Sequence, residues 1–178
     1  MRIKTNILYL SQCKTEPCKK YLDLFKKDEN GELFILIDEA FREMGQQYWW
    51  LYKNTNVDFV GWEIENGRFD WENDSAIVAI CCPEHFDPEK FNWTDYSWTI
   101  AEYCPQLFDA DRFNWESYSR TVVIHCPENF DAEKFNWKEH SSYVAEHCPH
   151  LLDPIRYNWA DDTWAVEKYC PALLKLKP

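Results

Sequence analysis

The chain has 178 residues with 31 Asp and Glu against 19 Lys and Arg, a formal net charge of -12, and ten Trp within an aromatic fraction of 17%. That acidity disfavours nucleic acid as a partner, because holding phosphates takes clustered basic groups and the release of counterions. Charged residues at 28%, with no apolar run near the ~20 residues that cross a bilayer, exclude a helical membrane protein and predict a soluble one.

Met1-Arg2-Ile3-Lys4 is basic, but the apolar run behind it, Ile7 to Leu10, is short of the roughly 7–15 residues of a secretory h-region, so a cytoplasmic location is expected, that of a host if the source is viral. The same run reads equally as a strand or a first helical turn. Cys18, Tyr21, Leu22 and Phe25 then share one helical stripe that stops at Asp28-Glu29-Asn30-Gly31. From Phe34 to about Tyr52 the apolar positions Phe34, Ile37, Phe41, Met44, Tyr48 and Leu51 step by three and four, predicting a longer amphipathic helix whose apolar arc Trp49 and Trp50 extend. Residues 1–56 thus form an N-terminal helical or mixed region that caps the downstream residues or binds a partner. Val57 to Gly67 alternates in character and ends in the turn signal Asn66-Gly67. A hairpin is one reading, but Ile64 lies twenty-two residues before Phe86, which favours a degenerate half-repeat.

That spacing governs everything downstream. An aromatic-Asn/Asp-Trp triplet recurs at Phe69-Asp70-Trp71, Phe91-Asn92-Trp93, Phe113-Asn114-Trp115, Phe135-Asn136-Trp137 and Tyr157-Asn158-Trp159, always twenty-two residues apart. A Cys-Pro pair keeps the same step at Cys82, Cys104, Cys126, Cys148 and Cys170. Residues 57–178 are therefore a tandem array. Within one unit Trp93, Ser97, Ile100, Ala101 and Cys104 have offsets of zero, four, seven, eight and eleven, the stripe of a helix and of no strand. The Asn or Asp before each Trp sits where a side-chain oxygen caps the first turn, acids in that turn complement the helix dipole, and the proline ends the helix one residue behind it. A second, shorter helical turn is expected from Phe86 to Phe91 and at its counterparts, capped by Asp87 and its equivalents. One such unit buries too little to fold alone. The expected fold is mainly all-α: a short-repeat α-solenoid of about five 22-residue helix-turn-helix units.

Five cysteines at one register of stacked helices lie about 8–10 Å apart, beyond the reach of a disulfide, and read with the five triplet Trp as the structural repeat core. Cys13 and Cys18 could hold a metal, but no second pair at zinc-like spacing accompanies them, so neither a metal nor a cofactor is expected. Ser97, Ser119 and Ser141 fall on the buried stripe, His125 and His147 lie one repeat apart on a helix flank, and no Gly-rich phosphate loop or nucleophile elbow occurs. No catalytic residues are assigned and no enzyme is expected.

Function is expected on the surface. Residues 1–60 hold nine basic and nine acidic residues, residues 61–178 ten and twenty-two, so the array carries the charge and calls for a basic protein partner. The position five after each Trp varies from unit to unit and points away from the buried stripe: Ala76, Trp98, Arg120, Ser142, Trp164. Trp and Arg are the side chains that most often anchor interfaces. Trp98, Arg120 and Trp164, with the acids Glu89, Asp111 and Glu133, are the candidate partner-binding residues of a non-catalytic scaffold or inhibitor. One alternative is an acidic nucleic-acid mimic of the viral anti-defence kind, acting on a nuclease or DNA-binding complex. Against it, -12 over five units gives roughly one excess charge per 4 Å, where duplex DNA has one per ~1.7 Å, and the basic residues Lys90, Arg112, Lys134 and Arg156 follow the acids in register. Another is a self-assembling structural protein, a homo-oligomer.

Overall fold

A computed structural model describes residues 7–13, 22–36 and 58–178. The chain forms two compact units, residues 1–89 and 90–178, and the described residues are mainly helical, in repeated helix-turn units.

In the first unit β1 (Ile7–Tyr9) and β2 (Lys26–Lys27) flank β3 (Leu33–Leu36) in an antiparallel sheet of order β1-β3-β2, with Ile7 opposite Leu36 and Lys26 opposite Phe34. Two sequence readings give way here. Phe34 begins no helix, because the turn before it folds β3 back onto β2: the Asp28 carboxylate accepts the N–H groups of Asn30 and Glu32 at 2.8 and 2.9 Å, and Gly31 takes a φ of 81° that a side chain would resist. The rest of the expected 34–52 helix, Trp49 and Trp50 included, lies outside the described residues. The stripe ending at Phe25 shows only one turn, Phe25 N–H to Leu22 C=O at 3.0 Å, before the chain enters the sheet; Cys18 also lies outside the described residues. Ile7 to Leu10 resolves as strand followed by a 3-10 turn, Leu10–Gln12.

Val57 lies outside the described residues, and the rest of the stretch to Gly67 is no hairpin: α1 (Phe59–Glu65) is a helix, capped by Asp58, whose carboxylate accepts the Gly61 N–H at 2.8 Å. Gly61 is glycine because a Cβ there would lie 2.4 Å from that carboxylate. Phe59 and Val60 of α1 pack with Leu8, Ile35, Phe69 and Val78 as the core of this unit, and His85 Nε2 meets Asp58 Oδ1 at 2.7 Å.

The repeat helices are α2 (Trp71–Cys81) in the first unit and α3 (Trp93–Tyr103), α4 (Trp115–His125), α5 (Trp137–His147) and α6 (Trp159–Tyr169) in the second. Each has eleven residues and begins at its Trp. Asn92, Asn114, Asn136 and Asn158 cap α3 to α6 as expected, and Asp70 caps α2. The cysteine that follows each helix leaves the helical region, with φ near -145° at Cys82, Cys104, Cys126 and Cys170, because the next residue is proline. The expected second turn is present, and a further helical element lies in front of it. The 3-10 turns form at the proline itself, Pro83–His85, Pro105–Leu107 and Pro127–Asn129, since a proline at the first position loses no bond by lacking an N–H. Phe86 to Phe91 and its counterparts hold a single turn, closed in the next repeat by Phe113 N–H to Asp109 C=O at 3.0 Å and capped by the same aspartate at the Asp111 N–H, 2.9 Å.

Trp115, Trp137 and Trp159 are buried, whereas Trp71 and Trp93 are half-buried; among the cysteines Cys104, Cys126 and Cys148 are buried, and Cys82 and Cys170 are half-buried. Each of the three buried indoles donates its N–H to the carbonyl five residues earlier, at Ala110, Ala132 and Pro154, between 2.8 and 2.9 Å, so the ring that fills the core also fixes the corner. The seven cysteines among the described residues are free.

Candidate protein-binding face

Successive repeats of the second unit are locked to one another by their capping residues. Asn136 Oδ1 accepts the Glu139 N–H at 3.2 Å, its Nδ2 donates to Glu116 C=O of the preceding helix at 2.9 Å, and its own N–H reaches Ser119 Oγ at 3.3 Å. Asn114 repeats the arrangement on Ser117, Thr94 and Ser97. Asparagine rather than aspartate is needed there, because only the amide both accepts and donates. The sequence places these serines on the buried stripe. Their hydroxyls also join repeats, and the choice of Asn over Asp was the signal for it. Ser119 Oγ shares a hydrogen bond of 2.8 Å with His140 Nδ1, and Ser141 Oγ donates to Asp162 at 2.5 Å. Ser119 is fully buried in this joint, so the pair holds helices together and offers no exposed nucleophile. Burial pushes the His140 imidazole below its ordinary pKa, with the Arg120 charge adding to the effect and Glu139 opposing it.

With the Trp, Ser, Val or Ile, and Ala positions turned inward, the position five after each Trp lies about 140° around the helix and faces out. Trp164 is 51% exposed and Trp98 is half-buried. Each meets a tyrosine five residues on: Trp98 and Tyr103 have ring centroids 6.4 Å apart, as do Trp164 and Tyr169. Between them Arg120 lies 5.9 Å over the Tyr143 ring, which stacks on His147 at 6.4 Å. The structure thus brings Trp98, Arg120 and Trp164 onto one face of the second unit and adds tyrosines that the repeat comparison did not single out. The fourth residue of that column, Ser142, spends its N–H on Asp162 at 3.1 Å.

The three candidate acids are placed differently. Asp111 pairs with Lys134 of the next repeat at 2.5 Å and Glu133 with Arg156; the hydrogen bond from Lys134, and then its charge, hold the Asp111 carboxyl below its usual range. Both lie on the turns rather than on the helical face, and Glu89, whose N–H is held by Asp87 at 3.0 Å, belongs to the first unit. The acids that flank the ridge instead are Asp95, Glu116, Glu139 and Asp161 in the first helical turns, all exposed, with Glu102 and Glu146 further along. Burial pushes the Cys104 and Cys126 thiols up to about 11, as it does Cys13 in the first unit. No group of three or more His, Cys, Asp or Glu side chains with metal-binding geometry occurs among the described residues, and none of their helices is long and apolar enough to cross a membrane. Comparison with protein-family models, curated proteins and solved structures finds no match.

Proposed function

We propose that the protein is a non-catalytic α-solenoid scaffold that binds, and by binding inhibits, a basic protein of the cytoplasm through the outward ridge of its 22-residue repeats. The observation that carries this reading is the pairing, on two of the repeat helices, of an outward Trp with a Tyr five residues on, at a helical position that changes from repeat to repeat. Two large aromatic pairs bracketing an arginine have the composition of interface anchors, and holding them toward solvent serves no purpose in the stack. The acids of the first turns steer a basic partner toward that ridge over distances of about a Debye length, ~8–10 Å. Asp111 and Glu133, neutralised in place by Lys134 and Arg156, contribute less to that field than their exposure implies.

The test begins with capture of the partner from the native host and continues with its affinity measured at low and high salt. Trp98→Ala with Trp164→Ala is expected to weaken binding while helicity is kept, and salt is expected to weaken it as well. Loss of binding on neutralising Glu89, Asp111 and Glu133, with competition by duplex DNA and indifference to the Trp pair, would instead establish a nucleic-acid mimic.

A further inference from the structure

The outward face of the second unit carries an internal symmetry that its repeats do not require. Helices α3 and α6, at the two ends of the four-helix row, present the same aromatic pair in nearly the same geometry: Trp98 with Tyr103 at 6.4 Å and 65°, Trp164 with Tyr169 at 6.4 Å and 61°. The residue between the rings has opposite charge at the two ends. It is Glu102 on α3 and Lys168 on α6, the latter bonded to the Tyr169 hydroxyl at 2.8 Å and lying 4.5 Å over its ring. The inner helices α4 and α5 carry a second opposed pair about two turns nearer their N-termini, Glu116 on one and Lys138, 3.4 Å from Glu139, on the other. Three repeat steps of roughly 10 Å separate Glu102 from Lys168 in one chain, so their opposite charges do not meet within it.

We propose that this face pairs with the same face of a second copy of the chain about a two-fold axis running along the helices, α3 against α6 and α4 against α5 of the other copy. The inference rests on the ridge being a protein-binding surface and names its resting occupant. A two-fold of this kind reverses the order of the helices and keeps the level of each residue along them. Trp98 then meets Trp164 of the second copy, Glu102 meets Lys168, Glu116 meets Lys138, and Arg120 lies beside Ser142 and Glu146. Ile124, 38% exposed, is covered near the axis. Asp95 and Asp161 fall opposite one another at the rim, where solvent screens like charges. Eleven-residue helices are about 16 Å long and four of them about 40 Å wide, so a face-to-face pair buries on the order of 1,300 Å² in total, within the range of specific interfaces. A basic partner that binds the same ridge does so by displacing the second copy, which makes self-association a brake on capture.

Sedimentation of the whole chain from about 1 to about 100 µM, the weak end for interfaces of this size, tests the proposal. The wild type is expected to dimerise within that range. Glu102→Lys and Lys168→Glu are each expected to weaken the dimer by about tenfold or more, because every reversal acts twice across the two-fold. The double variant carrying both is expected to return to within about threefold of the wild type, since it restores each pair with its charges exchanged. A wild type monomeric throughout, single reversals without effect, or a double variant as weak as either single would overturn the pairing. A monomer would leave the ridge open to a foreign protein, and the Trp98→Ala and Trp164→Ala variants judge that reading separately.

Discussion

Replacing Asn136 by Asp pits two effects of opposite sign against each other. As a helix cap the carboxylate is as good as the amide, and its charge at the helix N-terminus adds about 0.3–1 kcal/mol of stability. As the link between repeats it fails, because Asn136 Nδ2 donates to Glu116 C=O at 2.9 Å and a carboxylate oxygen placed there confronts another acceptor. The lost bond costs about 0.5–1.5 kcal/mol, and the repulsion of the carboxylate from the carbonyl adds to it. A net destabilisation of about 1 kcal/mol is expected, and about 2 kcal/mol for Asn136→Ala, which loses the cap at Glu139 as well. Asp70→Asn in the first unit is the control, since aspartate already caps α2 there through the N–H groups of Glu72 and Asn73; it should change stability by less than about 0.5 kcal/mol. Urea denaturation followed by circular dichroism gives both differences, provided the slope against denaturant is unchanged. An Asn136→Asp variant as stable as the parent, or more so, would show that the caps do not join the repeats.

Trp115→Ala should cost about 3–5 kcal/mol, because it removes a ring that is 7% exposed together with the indole bond to Ala110, while Trp98→Ala should cost far less; equal costs in a thermal or urea melt would invert the assignment of inside and outside. With their pKa near 11, Cys104 and Cys126 should be about one part in a thousand thiolate at pH 8 and alkylate slowly until the chain is unfolded; fast labelling of the native protein, or a bridge between them in a non-reducing peptide map, would contradict the stacked register. The folded pKa of His140 is lowered, so its neutral form contributes stability present above the unfolded pKa of about 6.5 and lost as pH falls through the folded value. His140→Gln should flatten the pH dependence of the melting temperature below about pH 6.5, and an unchanged profile would place that titration elsewhere.

The repeat was legible in the sequence because every unit writes the same physical instructions: Trp begins the helix, Asn caps it, proline ends it. The caps and the inward stripe all lie where the spacing puts them. What the spacing did not reveal is how the units are joined, because a serine on a buried stripe looks the same whether it merely fits or receives an N–H from the next repeat. The 3-10 turn at each proline is not legible for a related reason: the Asp-capped turn behind it, which lies where the spacing puts it, is the more conspicuous signal. Before the array, helical periodicity misled at Phe34, where a run of five apolar residues, Leu33 to Ile37, fits strand and helix alike and the hairpin turn at Asp28 to Gly31 decided the matter. On the ridge, Trp98 and Trp164 stood out as large aromatics at a position that changes from repeat to repeat, while Tyr103 and Tyr169 were hidden in a column shared with Cys81, His125 and His147.

The bonds between repeats in the second unit run mostly one way: the later repeat donates and the earlier accepts, at Thr94, Ser97, Ala110, Glu116, Ser119 and Lys138. At the last repeat the column breaks. Thr163 replaces serine, turns its hydroxyl onto its own Trp159 carbonyl and receives Lys177, and Ile155, 93% exposed, stands where Asp111 and Glu133 meet the base of a following unit. The seams within the second unit therefore present nearly the same acceptors and demand nearly the same donors. A gene encoding such an array can gain or lose whole 22-residue blocks by unequal crossover without creating a seam of a new kind. Copy number, rather than residue-by-residue change, is then the direct route by which the length of the array changes.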